Sequence, residues 1–208
     1  MRRSSLARVH APGLLARLRD RLRGRKQRLI RAGEQMPLLL VSYPPEAEAA
    51  AWDLEAAYAR SLPAMCEAAR GLYVTLWPAL PAIVVVLLRS RNPCGCLGHH
   101  HPPGTESRLA RRLASELGHP VAEIDLAYDS IRSWCPEPLS SLAAGEMTGE
   151  LEPLRFRVAL LAVLLHEMEH LAFPERGEPE IRHRSREFYR QAMAELVARE
   201  LGRDYGIA

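Results

Sequence analysis

Lysine is almost missing from this chain: Lys26 is the only one among 28 basic side chains. The arginine bias reads as compositional drift in the coding sequence and carries no functional message. Aromatic residues are also scarce, at 6%, so a core must be built mainly from Leu, Val and Ala. Four cysteines in 208 residues exclude a dense disulfide framework, which makes a reducing cytoplasm the simpler compartment. No apolar run is long enough to span a bilayer. The arginines at the start are not followed by an uninterrupted apolar stretch, so neither a transmembrane segment nor a secretory signal is expected. No internal repeat is visible. What remains is 48% hydrophobic, enough for a substantial core in one domain with an extension.

Charge is unevenly spread. Residues 1–31 hold eleven basic side chains and one acid, Asp20, a local charge of 11 − 1 = +10 in a chain whose total is +3. Leu14, Leu18 and Leu22, with Leu15, Leu29 and Ile30, form an apolar stripe on what would be a basic amphipathic helix. Such an arm, placed at 1–35, can bind phosphate backbones, lie on an anionic membrane, pack on the domain at 36–208, or stay solvated and disordered. If it binds nucleic acid, a chain starting near Glu34 should lose salt-sensitive DNA retention.

The densest chemical signal is His166-Glu167-Met168-Glu169-His170, an H-E-x-x-H pentapeptide. Before it, Leu154 to Leu165 is apolar except for Arg155 and Arg157, which predicts a buried helix. On a helix, i and i+4 lie about 40° apart and about 6 Å along the axis, so His166 and His170 share a face and can bind one small cation. Buried imidazoles and a carboxylate cost free energy unless something pairs with them, and a metal is such a partner. Two imidazoles with an adjacent Glu suit zinc-assisted hydrolysis, in which the metal acidifies a water and Glu167 takes its proton.

A third ligand is expected at His183. Ala172 to Pro179 contains two prolines and a glycine, which argues against a continuous helix. A second helix is expected from about Arg182 to Leu201, with Phe188, Ala192, Met193, Leu196, Val197 and Leu201 mostly three or four apart. His183 would then start that helix and fold back over the first. Glu187 is the reserve oxygen ligand, and a solvated His183 is the plainer alternative. Glu169, in the interior of the motif, either alters the charge of the site or pairs with a nearby Arg.

These segments resemble the SprT-like zinc metallopeptidases, of the minimal gluzincin type. Leu165 to His170 matches their H-E-x-x-H, and His183 to Phe188 resembles their later His followed by an aromatic. Leu97-Gly98-His99 resembles their Leu-Gly-aromatic turn into a strand, and Glu123 to Leu126 resembles their edge strand. The similarity spans roughly Pro81 to Leu201. Two departures are visible: four residues separate His183 from Phe188 where three are usual, and Arg184 stands where a Gly often follows the His. The resemblance implies a zincin-like active-site helix followed by a C-terminal helix, a peptide substrate paired along the 123–126 strand, and a zinc endopeptidase. Zn2+ would be held by His166, His170 and His183, with Glu167 as general base. It also implies a link to DNA, in keeping with the basic arm.

Other elements fill in an α+β order, a small twisted sheet with helices packed on it. Glu46 to Leu62 predicts a helix with Trp52, Ala56, Ala59 and Leu62 on its apolar face, stopped by Pro63. Ala82 to Leu88 predicts a buried strand, followed by a turn and a short strand near 96–101. A polar helix, Ser107 to Leu117, leads to a strand near 121–127, and 136–150 reads as a loop. Cys94, Cys96, the His99–His101 run and Cys135 could hold a structural zinc. Their spacing matches no paired CxxC, and a Cys94–Cys96 bridge would be strained, so a turn with incidental thiols is preferred. One of those histidines can still line the cleft if the turn lies near the metal. Two other readings stand beside the peptidase: a non-catalytic zinc module that binds nucleic acid through the arm, and a metal-dependent endoribonuclease. The latter would place its third His closer to His170 than His183 lies.

Overall fold

In the computed structural model, residues 28–32, 38–58, 80–88, 92, 94–104, 107–134, 151–187 and 190 are described, with the side chains of 151–154 left aside. The segments expected as an arm helix, as the end of the first helix, as the 136–150 loop and as the helix beyond 190 lie outside them, as do Pro63, Cys135 and Phe188.

Five strands build one mixed sheet: β1 Arg28–Ala32, β2 Leu39–Tyr43, β3 Ala82–Leu88, β4 Gly98–His101 and β5 Val121–Ala127. Their order is β1-β2-β3-β5-β4. The inner pairs β2–β3 and β3–β5 are parallel, and the outer pairs β1–β2 and β4–β5 are antiparallel. Helices cover both faces, which is why the central strand Ala-Ile-Val-Val-Val-Leu-Leu is apolar without alternation and buried throughout except at its last residue. Ile83, Val85 and Leu87 share a core with Leu39, Val41, Ile124 and Leu126. Ala82 and Val84 face the other way, into a smaller core with Leu29, Leu40 and Val121.

On the larger face lie α1 (Glu48–Ala56), the short α3 (Tyr128–Ser133) and the 22-residue α4 (Leu151–Ala172). Residues 158–165 of α4 are all buried, as the apolar run before the motif predicts. Arg157 Nε reaches Asp53 Oδ1 at 2.7 Å and clips α4 to α1. On the smaller face lies α2 (Arg108–Leu117). Its N-cap Ser107 accepts from Ala110 N, and Gly118, in the left-handed region, ends it. After α4 comes a five-residue connector, and a further helix, α5, runs from 178 to 187. Among the described residues no helix is long and apolar enough to cross a membrane.

Four expectations need correction. Leu29 and Ile30 were placed on a helical arm stripe, but residues 28–32 form edge strand β1, paired residue for residue with 39–43. Leu29 is buried there, so the folded sheet begins before residue 36. Trp52 does not belong to the apolar face of α1: it is 52% exposed, and Ala50, Ala51, Leu54 and Ala57 are buried instead. The strand containing Glu123 to Leu126 is not an edge, because β3 and β4 flank it on both sides. Finally, Cys94 and Cys96 are joined as a disulfide, since the positive-φ turn at Gly95 brings their Cα atoms to 5.3 Å.

Candidate metal centre

The C-terminal end of α4 carries the motif, and the chain folds back across it. His166 and His170 are half-buried and share a face, their rings edge to face at 4.9 Å. Facing them is Glu178, the first residue of α5. Its Oε2 lies 3.0 Å from His170 Nε2 and 3.5 Å from His166 Nε2. One donor atom from each of these three residues falls within 4.8 Å of the others. His183, the expected third ligand, is exposed on α5 and takes no part in this group. Glu187, the reserve, pairs with Arg190 at 2.7 Å. An oxygen donor does complete the triad, but nine residues before Glu187.

The reason lies in where α5 starts. Pro179 was taken as a helix breaker, yet proline is tolerated in the first turn, where its missing N–H is not needed. The amides of Glu180 and Ile181 both bond the Gly177 carbonyl, so α5 opens at Glu178 and not near Arg182. That earlier start puts a carboxylate, not an imidazole, opposite the two histidines.

The surrounding hydrogen bonds fix how these groups present themselves. Ser185 Oγ donates to the Arg182 carbonyl at 3.2 Å and therefore accepts from His166 Nδ1–H, also at 3.2 Å. Burial holds the His166 pKa below its ordinary value, against the pull of Glu167 and Glu178. A neutral ring with its proton on Nδ1 turns a bare Nε2 lone pair toward the pocket. Partial burial works against ionisation of Glu178, but the Arg182 hydrogen bond and the facing His166 and His170 outweigh it and keep its carboxyl below the usual range. A lone pair on His166 thus faces a carboxylate oxygen across 3.5 Å. A proton on either ring, as in the 3.0 Å His170–Glu178 hydrogen bond, or a bound cation would satisfy these facing atoms. Two imidazole nitrogens and one carboxylate oxygen are a donor set that zinc accepts.

Glu169 resolves as an ion pair. It is buried, and Arg176 from the connector and Arg184 from α5 both reach its Oε1, Arg176 at 3.0 Å. The two arginines bracket Glu178 in sequence, so this clamp ties the connector and α5 back onto α4. Arg176 also stacks on Phe173, 3.6 Å from the ring centroid.

Glu167 turns the other way, toward β4. It is 6% exposed, and its Oε2 accepts from His100 Nδ1 at 2.9 Å. The His100 ring in turn stacks on His170, with centroids 4.8 Å apart. One histidine of the 99–101 run does line the cleft. Side chains on a strand alternate between faces, so His100 reaches α4 while His99 and His101 point to the opposite face with Asp125 and Glu123. Close approach of β4 to α4 depends on Gly98. A Cβ built there would lie 2.7 Å from Glu167 Oε1 and 2.8 Å from both Glu167 Cγ and Val163 Cγ1.

The sequence reading named His166, His170 and Glu167, which the structure brings to one cleft, and allowed one histidine of the 99–101 run there without choosing His100; it did not name Glu178 or Ser185. The signal for Glu178 was present, as an acidic residue beside a proline that can start a helix. For Ser185 there was none, since its role depends on how α5 returns over α4. No protein-family model matches this chain, and neither a curated protein nor a solved structure matches it.

Proposed function

We propose that this chain is a zinc-dependent metallopeptidase of zincin-like organisation, with His166, His170 and Glu178 as the metal ligands and Glu167 as general base. The observation that carries it is the convergence of two imidazole Nε2 atoms and a carboxylate oxygen at the end of α4, with the motif's own glutamate turned toward the sheet edge. Three protein ligands, not four, are the pattern of a catalytic zinc. Zinc held there supplies Lewis acidity toward a water and toward the scissile carbonyl. Glu167 takes the proton of the water and returns it to the leaving amine. His100, through its hydrogen bond to Glu167 Oε2, holds that carboxylate in one orientation. Ser185 holds His166 in the ligating tautomer.

Substrate would lie along β4. Among the described residues β4 is the outermost strand on this side of the sheet, and an edge strand can accept an extended peptide through its backbone. This moves the pairing strand from 123–126 to Gly98–His101, next to the general base.

The test is direct. Glu167→Gln should retain zinc and lose proteolysis of an unstructured substrate such as casein, while His166→Ala should lose both. Undiminished cleavage by the Gln variant would contradict the role given to Glu167.

A further inference from the structure

A second set of metal-type donors lies on the opposite face of the β4–β5 pair, behind the candidate centre. In the antiparallel register His99 stands opposite Asp125 and His101 opposite Glu123, and directly opposed residues project to one side of a sheet. All four therefore leave the sheet on the side that carries α2. His101 Nε2 is 3.2 Å from Asp125 Oδ2. One donor atom each from His101, Glu123 and Asp125 falls within 4.8 Å of the other two. All three residues are half-buried. Glu123 accepts from the hydroxyl of Ser107, the N-cap of α2, and the His99 ring meets the His101 ring edge-on at 4.8 Å.

From this geometry we infer that His101, Glu123 and Asp125 form a second divalent-metal site that staples edge strand β4 to β5. The reasoning is electrostatic and geometric. Two carboxylates two residues apart on one strand face are partly removed from water, where like charges repel and each loses hydration. A protonated His101 would balance one of them, whereas a divalent ion balances both. The donors sit on two hydrogen-bonded strands, so little ordering is needed to bring them onto an ion. One imidazole with two carboxylates suits zinc or the harder manganese, and not an ion that demands thiolates. The hydrogen bonds to Ser107 and between His101 and Asp125 would be the resting arrangement of the metal-free protein. This site does not depend on the peptidase reading.

The experiment counts zinc. Full-length protein is stripped, equilibrated with Zn2+, freed of excess and analysed for metal per chain. Two equivalents are expected in the wild type, one in His166→Ala/His170→Ala, one in Glu123→Gln/Asp125→Asn, and none when all four changes are combined. His101→Gln should also lose one equivalent, which guards against a misleading result from the paired acid variant. In His166→Ala/His170→Ala, added Zn2+ should still raise the unfolding midpoint, and Glu123→Gln/Asp125→Asn should remove that rise. A wild-type chain whose only zinc disappears with His166 and His170 would overturn the inference. So would a second equivalent that survives Glu123→Gln/Asp125→Asn, which would point instead to the Cys94, Cys96 and His99 group with its disulfide reduced. A single zinc lost with Glu123 and Asp125 but indifferent to His166 and His170 would uphold this site and sink the first.

Discussion

Gly98→Ala isolates the contact on which the geometry of the cleft rests. Gly98 is not among the positive-φ glycines, so alanine is compatible with its backbone and the objection is space alone. The added methyl would lie 2.7 Å from Glu167 Oε1, where ordinary contact begins at 3.4 Å. Restoring ordinary contact therefore takes a movement of 3.4 − 2.7 = 0.7 Å. Glu167 is buried against β4 and held by His100, and Val163 is buried on α4, so neither yields freely. Overpacking of this kind costs about 1–3 kcal/mol. On the proposed peptidase reading the larger consequence is catalytic. A misplacement approaching 1 Å in a catalytic group lowers rate by about 10²-fold. Urea unfolding and initial cleavage rates of the zinc-loaded variant measure the two effects. Val163→Ala removes one of the three contacts, so the stability losses in the double variant should be smaller than their sum. Wild-type stability and rate in Gly98→Ala would refute the close approach of β4 to α4 and with it the placement of Glu167.

Three more outcomes follow from the same geometry. Glu178→Gln should weaken zinc binding by more than the roughly 10–100-fold typical of a supporting residue, while His183→Ala leaves it unchanged; competition with a chromophoric chelator reads both. Removing residues 1–33 deletes β1 and exposes the strand beneath it; loss of Leu29 burial alone is worth about 1.5–3 kcal/mol, so such a chain should melt lower than one starting at Arg28. In the metal-free protein, burial raises the pKa of Glu123, against its Ser107 hydrogen bond, and that of Asp125, against His101. A raised carboxylate means the folded state binds more protons than the unfolded one, so this pair lowers stability as pH rises above the ordinary values of 4.5 and 3.8. Glu123→Gln/Asp125→Asn should therefore gain stability at neutral pH without metal, and the gain should vanish in acid. A pH-independent difference would contradict the burial of these charges.

Much of this was legible in the residues. Ala82 to Leu88 is β-branched, bounded by Pro81, and lies at the centre of the sheet. The apolar stretch before His166 did become a buried helix, because burial on all sides needs apolar residues on all sides. The misses have physical causes. Leu39 to Tyr43 and Arg28 to Ala32 are five residues each, too short to reveal a period; a neighbour decides it. Trp52 was assigned inward from its three- and four-residue spacing with Ala56, Ala59 and Leu62, but the stripe that packs is Ala50, Ala51, Leu54 and Ala57. At the candidate centre, Glu178 and not His183 stands opposite the two histidines, because helix starts are set by backbone bonds to Gly177, which proline two residues on does not disturb. Which strand formed the edge depended on a long-range crossover, with β5 inserting between β3 and β4, and local sequence carries no record of that.

The three consecutive histidines gain their meaning from register. On a strand each residue reverses face, so His100 is committed to α4 only if His99 and His101 are committed to α2. A slip of β4 by one residue would turn His100 away from Glu167 and present His99 or His101 to α4. It would also turn a side chain with a Cβ into the space Gly98 occupies, against Val163 and Glu167. Only glycine fits there, so Gly98 penalises the slipped pairing and selects the observed one. The same residue therefore places His100 on Glu167 and, one face over, sets His101 opposite Glu123. One small residue at the start of this strand thus sets the partner of Glu167 on one face and the membership of the second donor cluster on the other.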